Sequence, residues 1–140
     1  MSETGTKDTI CSKPSQPTDK LVLVVEDNEK NGRLIMAMLN AAGYQTQWAM
    51  DGREGLRLAA ELHPALILTD LQMPHLDGLA MTRALKCQAA TAAIPIIAIT
   101  AHAMEEHRLG ALAAGCAKFL TKPIRYQALL AEVADAIQCS

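Results

Sequence analysis

The sequence predicts a doubly wound α/β domain, a parallel sheet covered by helices on both faces. Three observations point there. Five short strand-like runs, "KLVLVVED", "YQTQWAM", "ALILTD", "IPIIAIT" and "AKFLTK", recur along the chain, each followed by a helical stretch. The first, third and fourth runs are almost continuously apolar, as strands buried on both faces of a parallel sheet must be. Glycines and aspartates stand at the boundaries where helices would stop and start. A chain of 140 residues, 50% of them apolar, suits one compact domain with a single core.

Each element follows from its residues. Residues 1–19, "MSETGTKDTICSKPSQPTD", are rich in Ser, Thr, Pro and Lys and poor in large apolar groups. Such a segment cannot offset its ordering entropy, so a flexible tail is expected there and the folded domain over residues 20–140. Run one ends in Glu26 and Asp27; in the helix after it Leu34, Ile35, Met38, Leu39 and Ala42 share a face expected to be buried, and Gly43 stands where a left-handed cap would sit. Run two alternates polar and apolar residues and reads as an edge strand. It carries the lone Trp48, which is therefore not expected to report on the strand ends. Asp51-Gly52 and Asp77-Gly78 mark the starts of the second and third helices, where an aspartate accepts a hydrogen bond from an unpaired amide. Run three ends in Asp70, run four in Thr100, and run five in Lys122 followed by Pro123; Gly115 stops the fourth helix, and Leu129, Leu130, Val133 and Ile137 line one face of the fifth.

Composition excludes several functions. Thirteen basic side chains face fifteen acidic ones, and no stretch gathers Lys or Arg on one face, so no direct DNA binding is expected. The runs "LVLVV" and "IPIIAI" are too short to span a membrane and the N-terminus has no signal-peptide core, so a soluble, cytoplasmic chain is expected. Cys11, Cys87, Cys116 and Cys139 lie far apart, with no CxxC pair and no histidine at zinc spacing. Cys87 and Cys116 fall on apolar segments and read as small core residues. No GxGxxG or GxxxxGK loop is present to cradle a nucleotide.

In an open parallel sheet, ligands bind beyond the carboxyl ends of the strands, where strand order reverses. Those ends carry Glu26, Asp27, Asp70, Thr100 and Lys122. Three converging carboxylates raise one another's pKa unless a cation intervenes, and an all-oxygen donor set without His or Cys selects a hard ion, Mg²⁺ before Ca²⁺. A strand-end carboxylate such as Asp70 can take a phosphoryl group as an acyl phosphate, with Mg²⁺, the Thr100 hydroxyl and the Lys122 ammonium each meeting one phosphoryl oxygen. Taken singly, a strand-end Asp is a common turn cap, a Thr there is ordinary, and a Lys beside Pro is usually a solvated charge. Their joint placement at four strand ends carries the reading.

"VVEDN" (Val24–Asn28), "LTDLQMPHLDG" (Leu68–Gly78), "AITA" (Ala98–Ala101) and "FLTKPI" (Phe119–Ile124) together resemble the receiver domain of two-component response regulators, the CheY-like family, from about Lys20 to Gln138. The resemblance is strongest to DivK-type stand-alone regulators and hybrid-kinase receivers. It implies a flavodoxin-like (βα)5 fold with strand order 2-1-3-4-5, Asp70 as phosphoacceptor, Asp27 as direct Mg²⁺ ligand, Glu26 as ligand through a water, and the Gln72 carbonyl completing the protein shell. It further implies that Thr100 and Lys122 bind phosphoryl oxygens, that the Lys122–Pro123 bond is cis, and that Ala101 leaves access to the acyl phosphate. Phe119 matches the switch aromatic, though it reads equally well as a core Phe. Gln72 and His102 would border the path of hydrolytic water; His63, His75 and His107 read as surface or loop residues, and Met73 and Pro74 shape the loop after Asp70.

The implied partners are a histidine kinase or histidine phosphotransfer protein, docking through the first helix (Asn28–Ala42), and a downstream effector protein. The effector would read the surface of Met104–Ala114, Ala117–Thr121 and Arg125–Ile137, and a phosphorylation-dependent homodimer is a further pairing of this kind. No residues beyond Ser140 are left for an output domain, so a stand-alone, non-enzymatic phosphoacceptor is expected. A receiver fold that docks partners without phosphorylation is disfavoured because every acidic and phosphoryl-binding residue is kept. A phosphohydrolase of haloacid-dehalogenase type needs an Asp two residues after its nucleophile, where this chain has Gln72. A flavin-mononucleotide binder needs a hydroxyl-rich loop where the chain has the acidic "EDNEK".

Overall fold

The computed structural model describes residues 21–71, 78–100, 105–122 and 124–138, with backbone alone at 105–107 and 138. Strands and helices alternate: β1 (Leu21–Val25), α1 (Glu29–Ala41), β2 (Gln45–Ala49), α2 (Gly52–Leu62), β3 (Leu66–Asp70), α3 (Gly78–Lys86), β4 (Ile96–Thr100), α4 (Glu105–Ala114), β5 (Lys118–Thr121) and α5 (Tyr126–Gln138). All pairings are parallel and the order is β2-β1-β3-β4-β5, the 2-1-3-4-5 arrangement expected. The tail expected over residues 1–19, with Cys11, lies outside the described residues, as does Cys139.

The period-two alternation of strand side chains divides the core in two. Leu23, Val25, Ile67, Ile96 and Ala98 meet Ala59 of α2, Met81 and Leu85 of α3 and Ala111 of α4. Their strand neighbours Val22, Val24, Leu66, Leu68, Ile97 and Ile99 meet Ile35 and Leu39 of α1 and Leu129, Val133 and Ala136 of α5. A fully buried Leu or Ile contributes about 1.5–3 kcal/mol, against about 0.3–0.5 for an exposed helical ion pair such as Arg57–Glu61. The two apolar layers therefore hold the sheet. β2 shows the edge pattern expected, with only Ala49 fully buried.

Several boundaries follow the sequence reading. Asp51 caps α2 by accepting from the Glu54 amide at 3.0 Å. Gly43 and Gly115 take φ of +97° and +118°, the left-handed region that stops α1 and α4. His63 is exposed, as expected. Asp77, expected to cap α3, lies outside the described residues. Two expectations are overturned. Leu34, placed on the buried face of α1, is 56% exposed, because the helix turns Ile35 and Leu39 to the sheet and carries Leu34 about 100° away; Ala42, at the helix end, is exposed with it. Cys87, read as a core residue, is exposed just past α3, while Cys116 is buried as expected.

Candidate functional site

Strand register builds the site. Val25 lies opposite Thr69, so the residue after β1, Glu26, comes level with Asp70 at the end of β3. Asp70 lies opposite Ile99 and Thr100 opposite Thr121, which brings Thr100 and Lys122 to the same end of the sheet. The order reverses between β1 and β3, so the acidic residues sit at the switch point that parallel sheets use for ligands. The Lys122 amide also donates to the Thr100 carbonyl at 2.8 Å, tying the two ends together.

The structure brings Glu26, Asp27, Asp70 and Lys122 into one cluster. Lys122 Nζ donates to Glu26 Oε2 at 3.1 Å and to Asp70 Oδ2 at 3.2 Å, bridging two carboxylates rather than facing one. Carboxylate oxygens of Glu26, Asp27 and Asp70 all lie within 4.8 Å of one another; Glu26 is buried, Asp70 half-buried and Asp27 exposed. Thr100 is buried at the end of β4. Gln72, with the Met73–Pro74 loop and His75, lies outside the described residues, as do Ala101, His102 and Pro123; of His107 only the backbone is described. Phe119 is partly buried and packs against the core layer under α2, α3 and α4.

The charge balance is uneven. Burial first, then the charge of Asp70, pushes the Glu26 carboxyl up to about 7, although the Lys122 hydrogen bond and charge and the Asn28 amide pull it back. At Lys122 burial favours the neutral amine, but the hydrogen bond to Glu26 and the charges of Asp70 and Glu26 outweigh it and hold the ammonium above its ordinary range. One ammonium faces three carboxylates, and a proton on Glu26 or a further cation would relieve the repulsion that remains. An all-oxygen trio open to solvent at Asp27 suits a hard divalent ion that keeps part of its water shell. The cluster can hold such a metal ion.

Two supports of the site escaped the sequence reading. The Glu26 backbone is held on both sides by β2: its N–H donates to the Ala49 carbonyl at 3.0 Å, and its carbonyl accepts from Trp48 Nε1 at 2.8 Å. Trp48, read from the sequence only as part of an edge strand, therefore touches the main chain of a site residue. The only sequence signal was Gly32 inside α1, where a Cβ would come within 2.9 Å of Trp48 Nε1. The second support is Gly78, whose amide donates to the Leu71 carbonyl at 3.1 Å. A Cβ there would strike the Asp70 carbonyl oxygen and approach Leu71 Cα to 2.9 Å, so the start of α3 lies directly against the strand end that carries Asp70.

Comparison with known proteins fits this geometry. The response regulator receiver domain model matches residues 22–134. The polar-differentiation response regulator DivK of Brucella ovis is 43% identical over 105 residues, covering 75% of this chain and 85% of that protein. The receiver domain of sensor histidine kinase PA1611 from Pseudomonas aeruginosa PAO1, solved with a magnesium ion coordinated in its active site cleft, is 35% identical; it superposes with a TM-score of 0.80 over 85% of this chain and 98% of that one. The signal receiver domain of a histidine kinase from Syntrophus aciditrophicus is 32% identical, with a TM-score of 0.79 over 85% and 90% of the two chains. No helix among the described residues is long and apolar enough to cross a membrane.

Proposed function

The chain belongs to the response regulator receiver domain family, and from that premise we propose that Asp70 accepts a phosphoryl group from a phosphohistidine of a histidine kinase or histidine phosphotransfer protein. The observation that carries this reading is the Lys122 ammonium lying within 3.2 Å of both Asp70 and Glu26, at the switch point of the sheet, with Asp27 completing the acidic trio. Glu26, Asp27, Asp70 and the Gln72 carbonyl would hold Mg²⁺, Glu26 through a water. When bound, the ion supplies positive charge to a phosphoryl oxygen and relieves the repulsion among the carboxylates.

In the transfer an Asp70 carboxylate oxygen attacks phosphorus. The new O–P bond forms as the N–P bond of the donor breaks, and the departing imidazole keeps the electron pair and takes up a proton. Lys122 would turn its ammonium to a phosphoryl oxygen, and the Thr100 hydroxyl would meet a second. Hydrolysis reverses the state: water attacks phosphorus, inorganic phosphate leaves, and the Asp70 carboxylate returns. The chain thus takes part in its own modification rather than turning over a separate substrate. Drawing Thr100 toward the phosphoryl group would move the segment after β4, with Phe119 following, and shift the population of the α4–β5–α5 surface that an effector or a second copy of the chain reads. The domain over residues 20–140 would work in the cytoplasm, where such kinases deliver their phosphoryl groups.

The test is phosphoryl uptake from acetyl phosphate with and without Mg²⁺, read by intact mass. Wild type gains one phosphoryl group only with Mg²⁺, and Asp70→Asn gains none. Uptake by the Asn variant, or equal uptake without a divalent ion, overturns the assignment.

A further inference from the structure

Trp48 belongs to the edge strand, yet its indole N–H ends on the carbonyl of Glu26, at 2.8 Å. The adjacent residue of the same strand, Ala49, accepts the Glu26 amide at 3.0 Å. Both main-chain polar groups of Glu26 are thus fixed to consecutive residues of β2, and the peptide fixed in this way is the one that leads into Asp27. Those are two of the three carboxylates that converge at the sheet's switch point.

Reaching Glu26 requires the indole to pass over α1, and the helix is built to let it. Gly32 lies within α1, is buried, and faces the ring: a Cβ there would come within 2.9 Å of Nε1 and 3.1 Å of Cδ1. Gly in a helix interior is about 0.5–1 kcal/mol less favourable than Ala, so α1 forgoes stability at the position where the indole needs room. Trp48 is otherwise only half-buried and sits on an edge strand, where packing alone would be served by any large apolar side chain. The hydrogen bond, rather than the bulk of the ring, is what requires tryptophan.

We infer that Trp48, admitted by the gap at Gly32, is a positioning residue that fixes the Glu26–Asp27 peptide and so preorganises the carboxylates for a divalent cation. The inference rests on the metal-assisted reading given above. Without the indole N–H the Glu26 carbonyl loses its partner, the peptide between Glu26 and Asp27 gains freedom to rotate, and the exposed Asp27 carboxylate must be ordered when the ion arrives. That entropy then comes out of the binding affinity. The lone tryptophan also becomes a direct reporter of the site, since its N–H is bonded to a residue whose carboxylate belongs to the acidic trio and senses the charge of an ion there.

The experiment is a Mg²⁺ titration followed by amide and indole N–H NMR shifts, on wild type, Trp48→Phe, Gly32→Ala and the double variant, with thermal melts alongside. The single indole N–H resonance of wild type shifts along the same isotherm as the Glu26 and Asp27 amides. Trp48→Phe keeps an aromatic ring but loses the donor and weakens Mg²⁺ binding about 3- to 10-fold, the worth of one net hydrogen bond. Gly32→Ala leaves the N–H in the protein but displaces it and weakens binding in the same direction. In the double variant the two losses are not additive, because they remove one interaction. If wild type binds Mg²⁺ while its indole resonance stays still, or if both variants bind as tightly as wild type, the positioning role is overturned and the metal site stands. Wild type failing to bind Mg²⁺ overturns the metal-assisted reading and this role together.

Discussion

Two half-buried lysines stand at opposite ends of the sheet, and the difference between them separates site from scaffold. Lys122, at the carboxyl end, donates to the Glu26 and Asp70 carboxylates at 3.1 and 3.2 Å. Lys86, at the amino end, donates to the main-chain carbonyls of Ala92 and Ile94 at 3.0 and 2.8 Å, its stem packed against Gly115. Burial disfavours the ammonium in both places. At Lys86 nothing outweighs it and the group is pulled below its ordinary range, the charge of Cys116 restoring only part of the loss. At Lys122 the two carboxylates reverse the sign. A lysine that caps neutral carbonyls finishes a loop, whereas a lysine that faces surplus negative charge offsets part of the repulsion among the carboxylates. Burial alone does not tell the two apart.

Replacing each ammonium in turn tests that contrast. The largest effect is expected from Lys122→Gln, which removes the charge proposed to meet a phosphoryl oxygen: uptake from acetyl phosphate falls on the order of 10²–10³-fold while the protein stays folded. Uptake within a few-fold of wild type would put Lys122 on the side of scaffold. Lys86→Met keeps the apolar stem and strips two carbonyls of their partner. Stability measured by urea unfolding falls by about 1–3 kcal/mol, and phosphoryl uptake is unchanged. Loss of uptake in a folded Lys86→Met protein would erase the distinction between the two ends.

The same contrast explains what could be read in advance. The edge character of β2, the Asp51 cap and the identity of the residues that end the strands were legible because each depends on local periodicity or on a boundary residue, whereas the strand order, and with it the convergence of Glu26, Asp27, Asp70 and Lys122, was an expectation of the family resemblance. Leu34 was misplaced because residues 34 and 35 are both apolar, and only the direction of α1 on the sheet decides which is buried. Cys87 was misplaced for a related reason, since α3 ends one residue before it and no glycine or proline marks the end. The bond from Trp48 to Glu26 spans 22 residues and an edge strand, and no periodicity carries such a contact. Lys86 drew no notice at all, because a lysine that caps carbonyls looks in sequence like any lysine at the end of a helix.

The smallest expected effect concerns the amino end alone, where Lys86 neighbours Cys116. Burial pushes the Cys116 thiol up, with the Thr82 hydroxyl at 3.7 Å and the charge of Lys86 pulling it partly back. Above about pH 9 the unfolded chain releases the Cys116 proton while the folded chain keeps it, so this group makes stability fall as pH rises. Lys86 acts with the opposite sign: below its ordinary range the folded amine has already released a proton that the unfolded chain still binds, so stability rises with pH in that window. Unfolding free energies measured between pH 8 and 10 should therefore slope more steeply upward in Cys116→Ala than in wild type, and more steeply downward in Lys86→Met. Each difference is limited to about 1.4 kcal/mol per pH unit, the value of one proton. Alkylation of the native protein at pH 9, mapped by peptide mass, should modify the exposed Cys87 and spare Cys116. Equal slopes in all three proteins, or modification of Cys116 as fast as Cys87, would mean that the amino end admits solvent as freely as the surface. Lys86 would then be an ordinary exposed lysine, with no buried counterpart to set against Lys122.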